Sequence, residues 1–68
     1  MNKRTWFETR VDGMCASFNT ENEARKDVEN CRDGRPDNKF MSEENREYWK
    51  KAAEKMVVIK VTRIEEIL

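Results

Sequence analysis

Apolar and polar positions alternate in steps of two along residues 3–11 (KRTWFETRV) and again along 14–19 (MCASFN), with Asp12-Gly13 between them. A period of two is the mark of a strand. Asp-Gly suits a type I′ turn, which needs positive φ at both central positions, so the two runs predict a hairpin. A two-residue loop fixes the register: Val11 lies opposite Met14, Thr9 opposite Ala16 and Phe7 opposite Phe18. All six side chains then share one side of the ribbon, which is mostly apolar and is read as the core face. The other side carries Arg4, Trp6, Glu8 and Arg10 with Cys15, Ser17 and Asn19. Trp6 is therefore predicted to face away from the core.

The period then changes. Thr20 followed by Glu23 fits a capping box and opens a helix through about Arg32, with Ala24, Val28 and Cys31 as its apolar stripe. Asp33-Gly34 ends it, and Arg35-Pro36-Asp37-Asn38 reads as a loop. Ser42 is the second N-cap, for a helix over 43–55. Glu43 and Glu44 in its first turn and Lys50, Lys51 and Lys55 near its end complement the helix dipole. It is expected to bury Trp49, Ala53 and Met56, with Ala52 and Tyr48 alongside. From Val57 to Ile64 the step of two returns in a β-branched run. Its aliphatic set, Val57, Ile59 and Val61, is assigned to the core with Phe7 and Phe18; Val58, Lys60 and Thr62 are assigned to the outer face. Ile64, Ile67 and Leu68 are read as closing the core. The fold class is α+β: one small domain over 1–68, ordered β-β-α-α-β, with both helices on one face of a three-stranded sheet. The opposite face stays open unless another protein or a second copy covers it.

Composition limits what this frame does. With 68 residues, 37% of them hydrophobic and 41% charged, the core must be thin. Fourteen basic residues cancel fourteen acidic ones, so no overall attraction to nucleic acid or an anionic membrane follows. No apolar run follows Met1, which predicts no signal peptide and no membrane span. Two cysteines, Cys15 and Cys31, assigned to opposite sides of the sheet, are read as reduced thiols in a cytoplasmic protein rather than as a bridge.

The chemistry of catalysis is thinly represented. There is no histidine, which removes the commonest general base, metal ligand and activator of a nucleophile. The cysteines form no CxxC, and the two glycines fall in no phosphate-binding pattern. Carboxylates lie beside Lys or Arg on helix surfaces, as solvated ion pairs do. Asp33, Asp37 and Asn38 lack the spacing of a calcium loop. The expectation is a protein that is not an enzyme and needs no cofactor or metal.

The outer sheet face remains, and the residues chosen on it as partner-binding are Arg4, Trp6, Arg10 and Lys60. An exposed Trp flanked by Arg has the composition of an interface hot spot, so the expected partner is another protein. Stacking on nucleobases uses the same residue types, which keeps a nucleic-acid-binding accessory domain as the alternative. A homodimer covering the open sheet is the third reading. In the bland reading Trp6 lies flat under the stems of Arg4 and Arg10, a normal way to shield an indole.

Two pieces of the chain, TWFETRV and VIKVTRI, resemble the small host-takeover proteins of tailed phages, among them the RNA-polymerase inhibitors of T7-like phages. An aromatic-bearing hairpin precedes a helix and a final strand there too. The resemblance implies a phage or mobile-element accessory protein or an inhibitor of a host protein. The helix over 43–55 and the balanced charge depart from that pattern, so polymerase inhibition itself does not carry over. The hairpin followed by FNTENEA also resembles the arm-binding domain of tyrosine recombinases, which has three strands before its helix and a basic sheet where this chain has two strands and no net charge.

Overall fold

A computed structural model describes residues 2–68. The chain runs β1 (Asn2–Val11), β2 (Met14–Phe18), α1 (Glu21–Arg32), α2 (Glu43–Lys55) and β3 (Val57–Glu65). The sheet is antiparallel in the order β2-β1-β3, so the first strand is central. Asp12 and Gly13 take φ of 49° and 79°, the double positive that a type I′ turn demands, and the hairpin register follows: Val11 pairs with Met14, Thr9 with Ala16 and Phe7 with Phe18.

Both helix starts are made by the residues that the sequence marks. The Thr20 side chain accepts the Glu23 backbone N–H at 3.2 Å, and the Ser42 side chain accepts that of Asn45 at 3.2 Å. The helices cover the face of β1 that carries Thr9 and Val11. Thr9 is buried there and donates its hydroxyl to Asp27 of α1 at 2.9 Å. Ala24 and Cys31 of α1 and Ala52 and Ala53 of α2 are buried, with Val28, Trp49 and Met56 half-buried around them. Cys31 is the largest side chain fully out of water, which is how thin a core this length gives. Burial pushes its thiol pKa above the ordinary value. Cys15 is exposed on the other face, and both thiols are free.

The end of α1 is held by α2. Gly34 and Arg35 both have left-handed backbones, with φ of 80° and 52°. A Cβ on Gly34 would lie 3.0 Å from Cε of Lys50 and 3.4 Å from Cβ of Arg46, so glycine serves both the conformation and the close approach of α2. The Arg46 guanidinium then donates to the carbonyls of Gly34, Arg35 and Asn38 at 2.9, 2.8 and 2.6 Å. Arg35 itself lies 3.9 Å over the Trp49 ring.

The third strand differs from expectation. Its register with β1 pairs Val61 with Trp6, Ile59 with Glu8 and Val57 with Arg10, while Lys60 pairs with Phe7 and Val58 with Thr9. Paired residues of antiparallel strands point to the same side. Val57, Ile59 and Val61 therefore stand on the helix-free face, and Val58, Lys60 and Thr62 on the helix side, the reverse of the expected assignment. The reason lies in the reach of the helices. β2 pairs only with Phe7–Val11, and beyond that point β1 and β3 continue as a two-stranded ribbon. On its helix side Lys3, Thr5, Lys60, Thr62 and Ile64 are all exposed, so no core exists there for aliphatics to enter. The apolar run instead covers the indole. Ile64, Ile67 and Leu68 do not close the core either; Ile64 is 60% exposed and the last two more so. The ribbon also makes the molecule long: 52 × 20 × 17 Å, with a radius of gyration of 14.7 Å. A compact chain of this length would have about 11 Å. Among the described residues no helix is long and apolar enough to cross a membrane.

The Arg46 clamp has a measurable consequence. Replacing Arg46 by Ala strips three carbonyls of one charged donor and is expected to cost about 2 kcal/mol in urea unfolding, with Arg46→Lys recovering only part because an ammonium lacks the planar fork. A loss below about 0.5 kcal/mol would show that water replaces the guanidinium without penalty.

Candidate functional site: the helix-free face of the sheet

This face is built from alternate residues of the two long strands. Reading across β1 and β3, the rows are Arg4 with Arg63, Trp6 with Val61, Glu8 with Ile59 and Arg10 with Val57. Cys15 and Ser17 extend it onto β2, opposite Arg10 and Glu8. Trp6, Ile59 and Val61 are half-buried by one another with no helix above them, and Val57 is 49% exposed. The result is an apolar strip with an arginine pair at one end and Arg10 at the other.

Glu8 fixes the indole. The Trp6 Nε1–H donates to one carboxylate oxygen of Glu8 at 2.8 Å, and Arg10 donates through Nε and Nη2 to the other at 2.9 and 2.8 Å. The carboxylate is only 13% exposed, and the Arg10 side chain 49%. The hydrogen bond from Trp6, then that from Arg10, holds the Glu8 pKa below its ordinary value. The indole thus lies along its own strand, tied by its N–H, rather than under the arginine stems alone.

The arginine row is a different case. Arg4 and Arg63 are directly opposite each other, an arrangement that costs energy between like charges. Arg63 has Glu65 at 3.4 Å; Arg4 has no ion-pair partner among the described residues. The face therefore offers two cations beside an apolar strip and one tied aromatic.

Of the four residues chosen from the sequence, the structure brings together Arg4, Trp6 and Arg10. Lys60 is not with them: it pairs with Phe7 and stands on the opposite side of the sheet. Val61, Ile59 and Arg63 belong to the face and were assigned elsewhere or left out, because alternation identifies a strand without saying which side faces the helices. Elsewhere, a small cleft of about 190 Å³ lies between Thr9, Val11, Asp27, Arg35, Trp49 and Met56. Asp27 in it already accepts from Thr9, and the Arg35 guanidinium is stacked, so neither is poised for chemistry. Among the described residues no group of three or more His, Cys, Asp or Glu is placed to hold a metal.

The Glu8 tie predicts a pH response with a definite sign. A carboxyl whose folded pKa is lowered contributes stability above its unfolded pKa, and that contribution is lost as pH falls through the folded value. On acid titration the Trp6 fluorescence is expected to change below the usual glutamate range. Glu8→Gln should abolish that step and leave the signal of Trp49; an unchanged step in Glu8→Gln assigns it to another carboxyl.

No family model matches this chain, and neither a curated protein nor a solved structure is found to be similar to it. The resemblance of TWFETRV and VIKVTRI to phage proteins gains no support from these comparisons.

Proposed function

We propose that this protein is a non-enzymatic binding protein that docks another protein on the helix-free face of its sheet. The observation that carries the reading is the placement of Trp6: an aromatic on the uncovered side, backed by Val61 and Ile59 and held in one orientation by Glu8. A rigid, partly desolvated aromatic with arginines beside it is what interface hot spots are made of. Charge selects the partner. Arg4 opposite Arg63 asks for carboxylates, and the strip beside them asks for an apolar side chain, so the partner presents an acidic segment with apolar residues between its charges. A phage or mobile-element accessory protein, or an inhibitor of a host protein, is one biological setting in which such a surface serves.

Nucleic acid is the alternative occupant of the same arginines. One aromatic and zero net charge weigh against it, since modules that read single strands on a sheet commonly stack several bases on a basic surface.

The test uses decapeptides that alternate leucine with glutamate or leucine with lysine, and an oligothymidylate of similar length. The glutamate peptide is expected to bind. Trp6→Ala should weaken that binding by about 2 kcal/mol while circular dichroism stays unchanged, and Lys60→Ala, on the other side of the sheet, should have no effect. Binding of neither peptide, equal damage from Lys60→Ala, or unfolding of Trp6→Ala with the roughly 3–5 kcal/mol loss of a core aromatic overturns the reading. Tighter binding of the oligonucleotide with a steep salt dependence hands the face to nucleic acid.

A further inference from the structure

We infer that two copies of this chain pair through the outer edges of β3, and that Ile64 of each fills a groove beside the β3 edge of the other. This rests on the edge and on Ile64, and is independent of what docks over Trp6.

The last strand is the outermost on its side of the sheet, so its second edge is open along all nine residues. Its pairing with β1 runs from Val57 to Glu65 without a bulge, and six of the nine residues are Val, Ile or Thr. It contains no Pro or Gly. Proteins usually blunt such an edge by shortening, bulging or covering it, because its free N–H and C=O groups are a template for another strand. The other open edges, β2 and the Asn2–Trp6 stretch of β1, are each five residues long. The far half of the ribbon is also under-supported. A two-stranded ribbon is marginal in water, and a third strand is what stabilises one.

A second copy fits in one full-length register. With a two-fold axis at Val61, each β3 overlaps the other from 57 to 65. Val61 then faces Val61 of the second copy, Ile59 faces Arg63, Val57 faces Glu65, Lys60 faces Thr62 and Val58 faces Ile64. No like charges come opposite each other. Registers centred on Lys60 or Arg63 would place two cations face to face, which is unfavourable. The same row that holds Arg4 and Arg63 continues through Ile59 to Glu8 of the second copy, so no further cation is added beside Arg4, which has no ion-pair partner among the described residues.

The pairing of Val58 with Ile64 of the other copy is the telling one. Between α1, α2 and the start of β3 lies an open groove of about 810 Å³ lined by Val28, Met56 and Val58 and by four charged side chains, Arg25, Glu29, Arg32 and Glu54. Val58 and Ile64 both stand on the helix side of the sheet. The register therefore carries Ile64 of the second copy, 60% exposed in the single chain, to the mouth of this groove, with Ile67 three residues beyond it. Knob and groove are on the same molecule at symmetry-matched positions, which is the requirement for an isologous two-fold contact. The paired sheet would order its strands β2-β1-β3-β3-β1-β2, and the outer face would carry Trp6-Val61-Val61-Trp6 in one row.

Sedimentation equilibrium over micromolar to millimolar concentrations is expected to give a monomer–dimer equilibrium. Ile64→Lys should shift it toward monomer at least tenfold, while leaving circular dichroism and thermal midpoint unchanged at concentrations where both proteins are monomeric, because Ile64 is 60% exposed in the single chain. In a Cys15→Ser background, Val61→Cys should cross-link under mild oxidation, since directly opposed Cβ atoms are about 5 Å apart. Val57→Cys should not, its symmetry mate lying about 27 Å away at 3.4 Å per residue. A monomer at every concentration, an unchanged equilibrium in Ile64→Lys, or equal cross-linking at 57 and 61 overturns the inference. A monomer that still binds the glutamate peptide overturns the pairing and leaves the docking face standing.

Discussion

The first strand is the centre of the sheet, paired with both other strands and packed against both helices, and its alternation assigns each side a different task. Odd positions of β1 near the turn, Thr9 and Val11, anchor the helices; even positions, Arg4, Trp6, Glu8 and Arg10, form the exposed face. A slip of one residue in either pairing would exchange these sets, placing an indole under α1 and a buried threonine in water. The type I′ turn at Asp12-Gly13 prevents the slip on the β2 side. On the β3 side there is no turn to do so, because the connection passes through both helices. There the register is set by what the side chains gain: Val61 and Ile59 beside the indole, Val58 beside Thr9 under the helices.

That difference separates what was legible in the sequence from what was not. The hairpin, both N-caps and the apolar stripe of α1 depend on residues within a few positions of one another, and local chemistry decided them. The face of β3 depended on how far the helices extend over the sheet. Counting aliphatics put Val57, Ile59 and Val61 in the core, but a chain with so few apolar residues cannot build a core along the whole length of a 52 Å molecule. The same alternation, one position out, sets Lys60 beside Trp6, whereas it pairs with Phe7 on the helix side. Arg46 illustrates a second kind of silence. A cation in a helix beside Glu43 reads as a solvated partner, and nothing nearby in sequence announces that it closes on the carbonyls of Gly34, Arg35 and Asn38.

The thin core and the two exposed apolar regions are linked. Many of the apolar residues withheld from the core fall in two sets: one lies around Trp6, the other is the Ile64–Leu68 end beside an open strand edge, while Phe40 stands exposed alone between the helices. A monomeric surface tolerates single exposed aliphatics, whereas contiguous ones on opposite sides of one ribbon are what the proposed docking face and the proposed pairing would each cover. The marginal ribbon gives a structural reason for such covering to matter, since each partner would also stabilise the strands that present it.

Glu8 gives the exposed face its rigidity. A free tryptophan on a sheet surface would lose rotamer freedom on binding, and that loss would be subtracted from the affinity. Here the indole N–H is already engaged, and the same carboxylate is braced by Arg10, so the ordering cost is met within the fold before any partner arrives. The tie also leaves the cations at the two ends unlike one another. Arg10 spends its charge on Glu8, whereas Arg4 stands against Arg63 without a carboxylate of its own. The cation without an ion-pair partner is therefore at the ribbon end of the strip, and on the proposed reading an incoming chain would place its acidic residue there and its apolar residue over Trp6. That ordering gives the face a direction as well as a composition.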